Sequence, residues 1–325
     1  MESASLAGVR DTYVFAYCVA RMTYMRLGLR ESESSRFRAS VRALVPAVVT
    51  FVLAWIVLSF VARSVLGTVN AGAVLSVYGS VLFRWLPVLV VAVWLVFELD
   101  RQSPRTCGFD VDRRWARDLV AGSLISVVSF GLAWTVGIGR GTVAVEGNLQ
   151  PNVETLGLFA LIGSGLLVSL LVQTVYEEFV YRAIMISNLA EGARARGLSA
   201  RWAIVGATAT GLFAFGLYHL PRGIIVVVDS MFVGIAFAVP YLLTGSLALS
   251  IGVHLGRHAG AFFLVGDGLG GSMFLQSMGL VTIQSEGFAL FAVVWIVVAV
   301  VLVTAWVRAT RGEIRIPEKV YRRDE

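Results

Sequence analysis

The sequence predicts an all-α, polytopic membrane protein with about eight transmembrane helices that enclose a polar intramembrane cavity. Hydrophobic residues make up 57% of the 325 residues, and the mean hydropathy of +0.79 exceeds that of soluble globular chains. Apolar runs of about 20 residues, the length of helix that crosses a hydrocarbon core, recur along the chain. Basic residues are concentrated in alternate segments between these runs, as the positive-inside rule requires.

The apolar runs define eight predicted spans. We place them at residues 43–62, 71–97, 119–138, 156–189, 202–220, 223–243, 246–265 and 288–307. The fourth run is too long for one perpendicular crossing, so we expect it to be tilted, to extend into the cytosol or to begin with an interfacial piece. The chain then divides into a basic cytosolic segment, three N-terminal spans, a core of spans four to seven, and a last span with a basic tail. These four parts are residues 1–42, 43–154, 155–265 and 266–325.

The N-terminal segment carries no apolar stretch of the kind that a secretory signal peptide needs. Between Tyr13 and Leu29, aromatic and apolar residues mix with arginines. This pattern is typical of an amphipathic helix on an anionic membrane surface, or equally of a solvated basic tail. The two cysteines, Cys18 and Cys107, both lie in segments that we place in the cytosol, so we expect them to be unpaired.

The distribution of basic residues predicts the orientation of the chain. Of the 27 lysines and arginines, 21 fall in residues 1–42, 98–118, 190–201 and 308–325. Only Arg63, Arg140 and Arg222 fall in the loops on the other side. We therefore expect a multi-pass protein of the cell membrane with both termini in the cytosol. Because the basic charge serves orientation, it does not indicate a nucleic-acid partner.

Three charged residues interrupt the fourth apolar run. Glu177, Glu178 and Arg182 are the only charged residues between positions 159 and 186. A charge near the bilayer centre costs ~2.5 to 3.5 kcal/mol on insertion scales, so such a cluster indicates function. Adjacent helical residues diverge by about 100°, so the two glutamates have different roles. Glu178 can pair with Arg182 at the i, i+4 spacing, whereas Glu177 shares a face with Gln173 and is free to act.

All three histidines of the chain lie within or at the end of an apolar run. His219 ends the fifth, and His254 and His258 share one face of the seventh. Histidine is the side chain best suited to proton transfer near neutral pH, and it is a common metal ligand. If the chain turns near Gly197, Glu178 and His219 lie at comparable depths and could meet.

Three motifs carry a resemblance to a known family. They occur in order on successive hydrophobic helices, as Glu177-Glu178-x-x-x-Arg182, Phe215-x-x-x-His219 and His254-x-x-x-His258. In them, roughly residues 155–265 resemble the CPBP intramembrane protease family. That family includes the type II CAAX prenyl endopeptidases and the bacterial bacteriocin-processing and self-immunity (Abi) proteins. The resemblance implies an intramembrane endopeptidase whose substrate is a peptide or protein that is prenylated or otherwise anchored in the lipid bilayer.

The resemblance also implies a role for each residue of the first two motifs. Glu177 would act as general base on a water molecule, assisted by His219. Arg182 would organise the site through Glu178. Hydrolysis of an amide requires such an activated water and a donor for the developing oxyanion, which agrees with these roles.

The third motif departs from the family. The usual pattern is His-x-x-x-Asn or Asp, proposed to hold the oxyanion, so His254 matches and His258 does not. An imidazole can still donate a hydrogen bond to an oxyanion, but a third histidine also favours a metal site. We expect no cofactor; in the zinc alternative, Glu177, His219 and His254 or His258 are ligands and Glu178 is the base.

Two further points concern the remaining intramembrane charges and the other function class. We expect Arg84 and Asp229 to be buried partners of one another or of the site, and Arg257 to pair with Asp267 at the outer rim. Phe215 is expected to pack against the His219 ring. The alternative to an enzyme is an ion- or proton-coupled carrier, or a scaffold, that uses the same glutamates and histidines as a relay.

Overall fold

The structure, a computed structural model, describes residues 37–61, 64, 73–145, 156–261, 281–283 and 285–321. These residues form eight helices. They are α1 (Ala39–Val61), α2 (Ala73–Ser80, Val81–Trp85 and Leu86–Asp100), α3 (Arg113–Gly139), α4 (Leu156–Glu178, Phe179–Ile186 and Ser187–Ala195), α5 (Ala200–Tyr218), α6 (Ile224–Thr244), α7 (Ala248–Gly260) and α8 (Ser285–Arg311). Short 3-10 turns follow at Leu220–Arg222 and Glu318–Val320. Helices α1, α2 and α4 each contain a π-helical stretch, at Leu53–Val57, Val81–Trp85 and Phe179–Ile186.

The predicted class, an all-α polytopic membrane protein, is confirmed. Seven of the eight described helices are long and apolar enough to cross a membrane. The exception is α7, which corresponds to the predicted span 246–265 but has 13 residues, or about 20 Å of helix. Residues 262–265 of that prediction lie outside the described part of the chain. The segment 1–36 and Cys18 lie outside it as well, while Cys107 is buried.

Helix α7 nevertheless runs across the bundle in the direction of a span. At its start, the amide of Leu247 donates a hydrogen bond of 3.1 Å to the carbonyl of Gly108, just before α3. At its end, Gly260 packs on the ring of Phe130, more than four turns along α3. The two helices are therefore parallel neighbours over most of the length of α7.

Glycines allow α3 and α7 to approach so closely. A Cβ atom added at Gly252 would lie 2.9 Å from the backbone nitrogen of Ser123, and one at Gly122 would lie 2.9 Å from that of Val253. Small residues at such contacts are the usual means of close helix packing in membranes, where lipid supplies no hydrophobic drive for association. Because His254 and His258 are on α7, this contact also sets their position.

Helix α4 lies at the centre of the bundle. All eight residues of its π-helical stretch Phe179–Ile186 are buried, as are Glu177 and Glu178 immediately before it. A helix that is buried on every side needs partners for each of its polar groups. The neighbouring helices therefore have to supply them.

A buried charged cluster joins α1, α2 and α4 at one end of the bundle. Arg42 Nη1 lies 2.6 Å from Asp100 Oδ1, and Arg42 Nη2 lies 3.2 Å from Glu191 Oε1. Asn188 Nδ2 donates to the second Asp100 oxygen at 3.0 Å. Breaking a buried pair of this kind by removing one partner typically costs ~3 to 5 kcal/mol, so the cluster fixes these helix ends relative to one another.

A second cluster joins α3, α6 and α8. Arg311 Nη2 lies 2.9 Å from Asp118 Oδ2, and Trp306 Nε1 donates to Asp118 at 3.1 Å. Arg311 also donates to the carbonyl of Thr244 at 3.2 Å. The C-terminal end of α8 thus lies beside the start of α3, which follows directly on the end of α2. Both ends of the described chain are therefore on one side of the bundle.

The opposite side carries an element that the sequence did not predict. Strand β1 (Val143–Val145) pairs antiparallel with β2 (Val281–Ile283), with Val143 opposite Ile283. The ribbon joins the end of α3 to the start of α8. Three-residue strands have too few residues for a period-2 pattern to be recognised in sequence.

The close approach of α3 and α7 leads to a stability prediction. We expect Gly252→Ala to lower the free energy of unfolding by ~1 to 3 kcal/mol, because the added methyl group meets backbone atoms that cannot move independently. Gly131→Ala, on α3 and with nothing within 4 Å of the added Cβ, should instead raise it by ~0.5 to 1 kcal/mol. Unfolding in detergent micelles measures both changes. Equal effects of the two substitutions would contradict the close contact.

Candidate active site

Glu178 is the most highly coordinated side chain of the site. It has no solvent exposure, and its Oε2 lies 3.3 Å from Arg182 Nε, the i, i+4 pair that the sequence predicts. Ser250 Oγ, on α7, donates a hydrogen bond to the same oxygen. The other oxygen, Oε1, lies 2.7 Å from His254 Nδ1. Glu178 thus has three partners, of which Ser250 and His254 connect α4 to α7.

Glu177 is bound on one oxygen only. Gln173 Nε2 donates to its Oε1 at 2.7 Å. Its Oε2 is buried and has no hydrogen-bond partner among the described residues. The nearest ring nitrogen to that oxygen is His254 Nε2, at 3.6 Å. A carboxylate oxygen that is buried without a donor is costly unless a ligand or water completes it.

The tautomer of His254 indicates which kind of group fits between its Nε2 atom and Glu177 Oε2. Because the Glu178 carboxylate accepts, Nδ1 of His254 carries the proton, and Nε2 of the neutral ring has a lone pair. That lone pair faces Glu177 Oε2, which is also an acceptor. Two acceptors 3.6 Å apart repel one another unless a donor or a cation lies between them. The geometry therefore suits a water molecule that donates to both, or a metal ion.

His258 borders the same space. Its ring stacks on that of His254 with centroids 4.6 Å apart, and Phe237 covers the opposite face of His254 at 3.9 Å. The Nε2 atom of His258 is buried and has no hydrogen-bond partner in the described part of the chain. Ligand atoms of Glu177, His254 and His258 all lie within 4.8 Å of one another.

The same three residues are a chemically suitable set for zinc. Imidazole nitrogens and a carboxylate oxygen are ordinary zinc ligands, and a carboxylate on the second nitrogen of a ligating histidine, as Glu178 is on His254, orients the ring. Ligands of a tetrahedral zinc ion at ~2.0 to 2.1 Å lie about 3.4 Å apart, so the groups would have to close slightly. His219, which the sequence placed in the metal set, is not among these three.

His219 caps the end of α5. Its Nδ1 donates to the carbonyl of Phe215 at 2.9 Å, and the ring edge lies on the Phe215 ring at 4.9 Å between centroids. Phe215 therefore packs against the imidazole as predicted. No hydrogen bond or ion pair joins His219 to either glutamate among the residues that the structure describes. With the proton on Nδ1, Nε2 of the neutral ring remains an acceptor.

The Arg182 guanidinium is held by aromatic rings as well as by Glu178. It lies over the Phe215 ring at 4.1 Å and near Phe237 at 5.6 Å. A Cβ on Gly234 would lie 3.4 Å from its Nη2, so this glycine leaves room for it. The same two phenylalanines thus contact the arginine and the two histidines His219 and His254. A cation desolvated on aromatic faces gains about 2 kcal/mol or more, which offsets part of its burial.

The other intramembrane charges, Arg84, Asp229 and Arg257, have partners that the sequence predicts only in part. Arg84 lies between the rings of Trp55 at 4.7 Å and Trp85 at 4.3 Å, and its Nε donates to a backbone carbonyl of α1 at 3.1 Å. Arg257 lies over two rings, those of Phe130 and Trp295, at 5.4 and 5.3 Å. Asp229 is the acidic group that interacts electrostatically with Arg257. The predicted partner Asp267 lies outside the described residues.

Sequence reasoning missed two contributors to the site. Ser250 was not singled out, although it stands four residues before His254 and so shares its helix face. That spacing was a usable signal. Phe237, on α6, carried no signal, because an apolar residue in an apolar span is ordinary. Gln173 was placed on the face of Glu177, and the structure gives it a direct hydrogen bond there.

Comparison with known proteins agrees with the motifs. Residues 158–259, about a third of the chain, match the family model "Type II CAAX prenyl endopeptidase Rce1-like". No curated protein and no solved structure matches the chain. The matched segment begins in α4 and ends in α7, so it contains every residue of the three motifs. The predicted relationship is thereby confirmed: over residues 158–259 the chain carries an Rce1-like domain, consistent with a CPBP-family intramembrane protease.

Proposed function

We propose that this chain is an intramembrane endopeptidase in which Glu177 activates the attacking water. One observation carries the proposal: Glu177 Oε2 is buried, has no hydrogen-bond partner among the described residues, and faces the lone pair of His254 Nε2 at 3.6 Å. A water molecule that donates to both acceptors is polarised and fixed in position, and its own lone pairs point away from them. The family supports a peptidase that acts on a peptide or protein.

Hydrolysis then proceeds by ordinary general base catalysis. The water oxygen attacks the carbonyl carbon while Glu177 takes the water proton. When the C–N bond breaks, the same carboxyl returns that proton to the leaving amine. Gln173 keeps one Glu177 oxygen occupied, so the other is the one presented to water. We assign to His219, through its acceptor Nε2, the support of this proton transfer from the α5 side.

We assign the oxyanion of the tetrahedral intermediate to His254 and His258. His258 lies beside Glu177 and His254, and its buried Nε2 has no hydrogen-bond partner among the described residues. His254 becomes a donor at Nε2 when Glu177, 3.6 Å away, passes to it the proton taken from the water, and that proton returns through Glu177 to the leaving amine. The Glu178 carboxylate at 2.7 Å from Nδ1 stabilises the imidazolium. Preorganised donors of this kind are worth ~2.7 to 4 kcal/mol each in acyl transfer.

The proposed substrate class is a membrane-anchored peptide, with a prenylated carboxy-terminal CAAX peptide as the first to test. Family membership supports this class. We further propose that both termini are cytosolic in the cell membrane. The clusters around Arg42 and Arg311 lie on one side of the bundle, together with both described chain ends. The arginine-rich loops lie on this same side, as the positive-inside rule expects of the cytosolic side.

A zinc-dependent peptidase is the second candidate, and the cluster of Glu177, His254 and His258 within 4.8 Å supports it. These residues would hold the ion, with Glu178 orienting His254. The metal would supply Lewis-acid polarisation of the carbonyl and a more acidic bound water. Glu177 would then be a ligand and no longer the base. A carrier or scaffold without peptidase activity is a third alternative, which the first experiment below also tests.

We expect Glu177→Gln to lower cleavage of prenylated and membrane-anchored peptides by about 10²- to 10⁴-fold, the usual contribution of a general base. The amide keeps the hydrogen-bonding shape but takes no proton. The measurement is peptide cleavage by purified protein in detergent, across a panel of substrates. Glu98→Gln, at a half-exposed surface glutamate, is the control and should cleave like the wild type. Wild-type rates for Glu177→Gln would overturn the mechanism; pH-driven uptake without any cleavage would favour a carrier.

Gln173→Met tests the orientation of Glu177. We expect kcat to fall about tenfold with KM unchanged, because one hydrogen bond of ~1 to 1.5 kcal/mol no longer fixes the carboxylate. The substitution is nearly isosteric, so thermal stability should stay close to that of the wild type. A change confined to KM would show that Gln173 contacts substrate and does not orient Glu177.

His258→Asn separates the two peptidase mechanisms. It restores the asparagine that the family usually has, so under the Glu177 mechanism we expect activity within about tenfold of wild type, since an amide also donates to an oxyanion. Under the zinc mechanism it removes a ligand and should abolish both activity and bound metal. Cleavage and elemental analysis, before and after exhaustive chelation, decide the matter. Loss of wild-type cleavage on chelation, restored by zinc, would contradict the metal-free mechanism.

A further inference from the structure

A groove on the outer surface of the bundle lies between α3 and α8, away from the site. It has a volume of about 630 Å³ and an almost wholly apolar lining, and Arg117 and Trp306 border it. Along α3 its floor includes Val120, Leu124 and Val128, which are 58, 60 and 51% exposed. These residues recur every four positions, so they form one continuous stripe.

The groove has the dimensions of one acyl chain in one leaflet. From Arg117 to Val128 is 11 residues of helix, or about 16 Å, close to half of the ~30 Å hydrocarbon thickness. The stripe is apolar along this length and basic at its end. It therefore has the polarity of a lipid that lies along the helix with its head group at the helix terminus.

The basic end of the groove is rich in arginine. Five arginines occupy the first turns of α3 and the last turns of α8: Arg113, Arg114, Arg117, Arg308 and Arg311. The acidic residues at these helix ends are Asp112, which caps α3 by accepting from Trp115 N at 2.7 Å, and Asp118. Asp118 is shared by Arg311 at 2.9 Å and Arg117 at 3.3 Å. Within residues 112–118 and 308–311, the five arginines thus exceed the two aspartates by three.

Arg117 is the residue placed to meet a head group. Its side chain is 48% exposed, and its guanidinium lies over the Trp306 ring at 5.6 Å, which fixes it at the mouth of the groove. Its contact with Asp118 is made by Nη2. Clusters of basic residues beside apolar grooves at the cytosolic ends of spans attract anionic head groups, at about 1 kcal/mol per arginine.

We propose that the α3–α8 groove binds an anionic phospholipid, with one acyl chain along Val120, Leu124 and Val128 and the phosphate at Arg117. This site is independent of the peptidase site and of its mechanism. The excess of positive charge selects an anionic lipid over a zwitterionic one, because the choline of a zwitterionic head group would bring another positive charge close to the arginines.

The test is competition between phosphatidylglycerol and phosphatidylcholine for delipidated wild-type protein, read by native mass spectrometry. We expect phosphatidylglycerol to be retained in preference. Arg117→Gln should weaken its retention about fivefold and weaken that of phosphatidylcholine less, because the choline cation already offsets the attraction of its phosphate to the arginines. Leu124→Trp should reduce retention of both lipids, because the indole fills the groove. Arg113→Gln, one turn earlier on the same face, provides a second head-group variant should Arg117→Gln fail to fold.

Two matched controls should behave like the wild type. Arg201→Gln removes another exposed arginine that lies over a tryptophan ring, Trp202, at 5.8 Å. Leu132→Trp adds an indole at a 47% exposed leucine on α3 beyond the groove. Equal retention of the two lipids by wild-type protein would overturn the proposal. So would equal effects of Arg117→Gln and Arg201→Gln, or a protein dimer that Leu124→Trp dissociates, since the occupant would then be a second copy of the chain.

Discussion

The structure depends on the need to satisfy Glu178, a carboxylate buried at the centre of a membrane bundle. Its partners come from the next turn of its own helix, Arg182, and from α7, Ser250 and His254. Removing Arg182 would leave the buried Glu178 charge uncompensated, at a cost of ~3 to 5 kcal/mol. Removing Ser250 or His254 would cost Glu178 a hydrogen bond. The position of α7 is therefore fixed by electrostatics on one side and by glycine packing against α3 on the other.

The aromatic residues make this arrangement compatible with an apolar surrounding. Phe215 and Phe237 contact the Arg182 guanidinium and the rings of His219 and His254. They pack against each of these polar side chains and supply favourable contact with the cation. Because both rings belong to neighbouring helices, α5 and α6, the site is complete only when four helices, α4 to α7, are assembled.

The membrane spans and part of the candidate site could be predicted from the sequence, because the bilayer and helical geometry constrain them. Apolar runs and basic loops identify spans because the bilayer imposes their length and orientation. The spacing of Glu178 and Arg182 predicts their ion pair because helical geometry fixes it. The predicted span 246–265 is described only as far as residue 261. Contacts between helices could not be predicted from the sequence. The sequence does not show that His254 contacts both glutamates, or that His219 is hydrogen-bonded to its own helix.

The two adjacent glutamates illustrate how one helix separates structure from chemistry. A rotation of about 100° directs Glu178 toward three partners and Glu177 toward one. The saturated carboxylate fixes the Nδ1 proton of His254, and this leaves a lone pair on Nε2 opposite the unsaturated carboxylate. Two buried acceptors that face one another without a donor are unfavourable. The fold that satisfies Glu178 therefore creates a position between His254 Nε2 and Glu177 Oε2 that attracts a hydrogen-bond donor. In an otherwise apolar bundle, that preference is the means by which we propose a water molecule is retained beside Glu177.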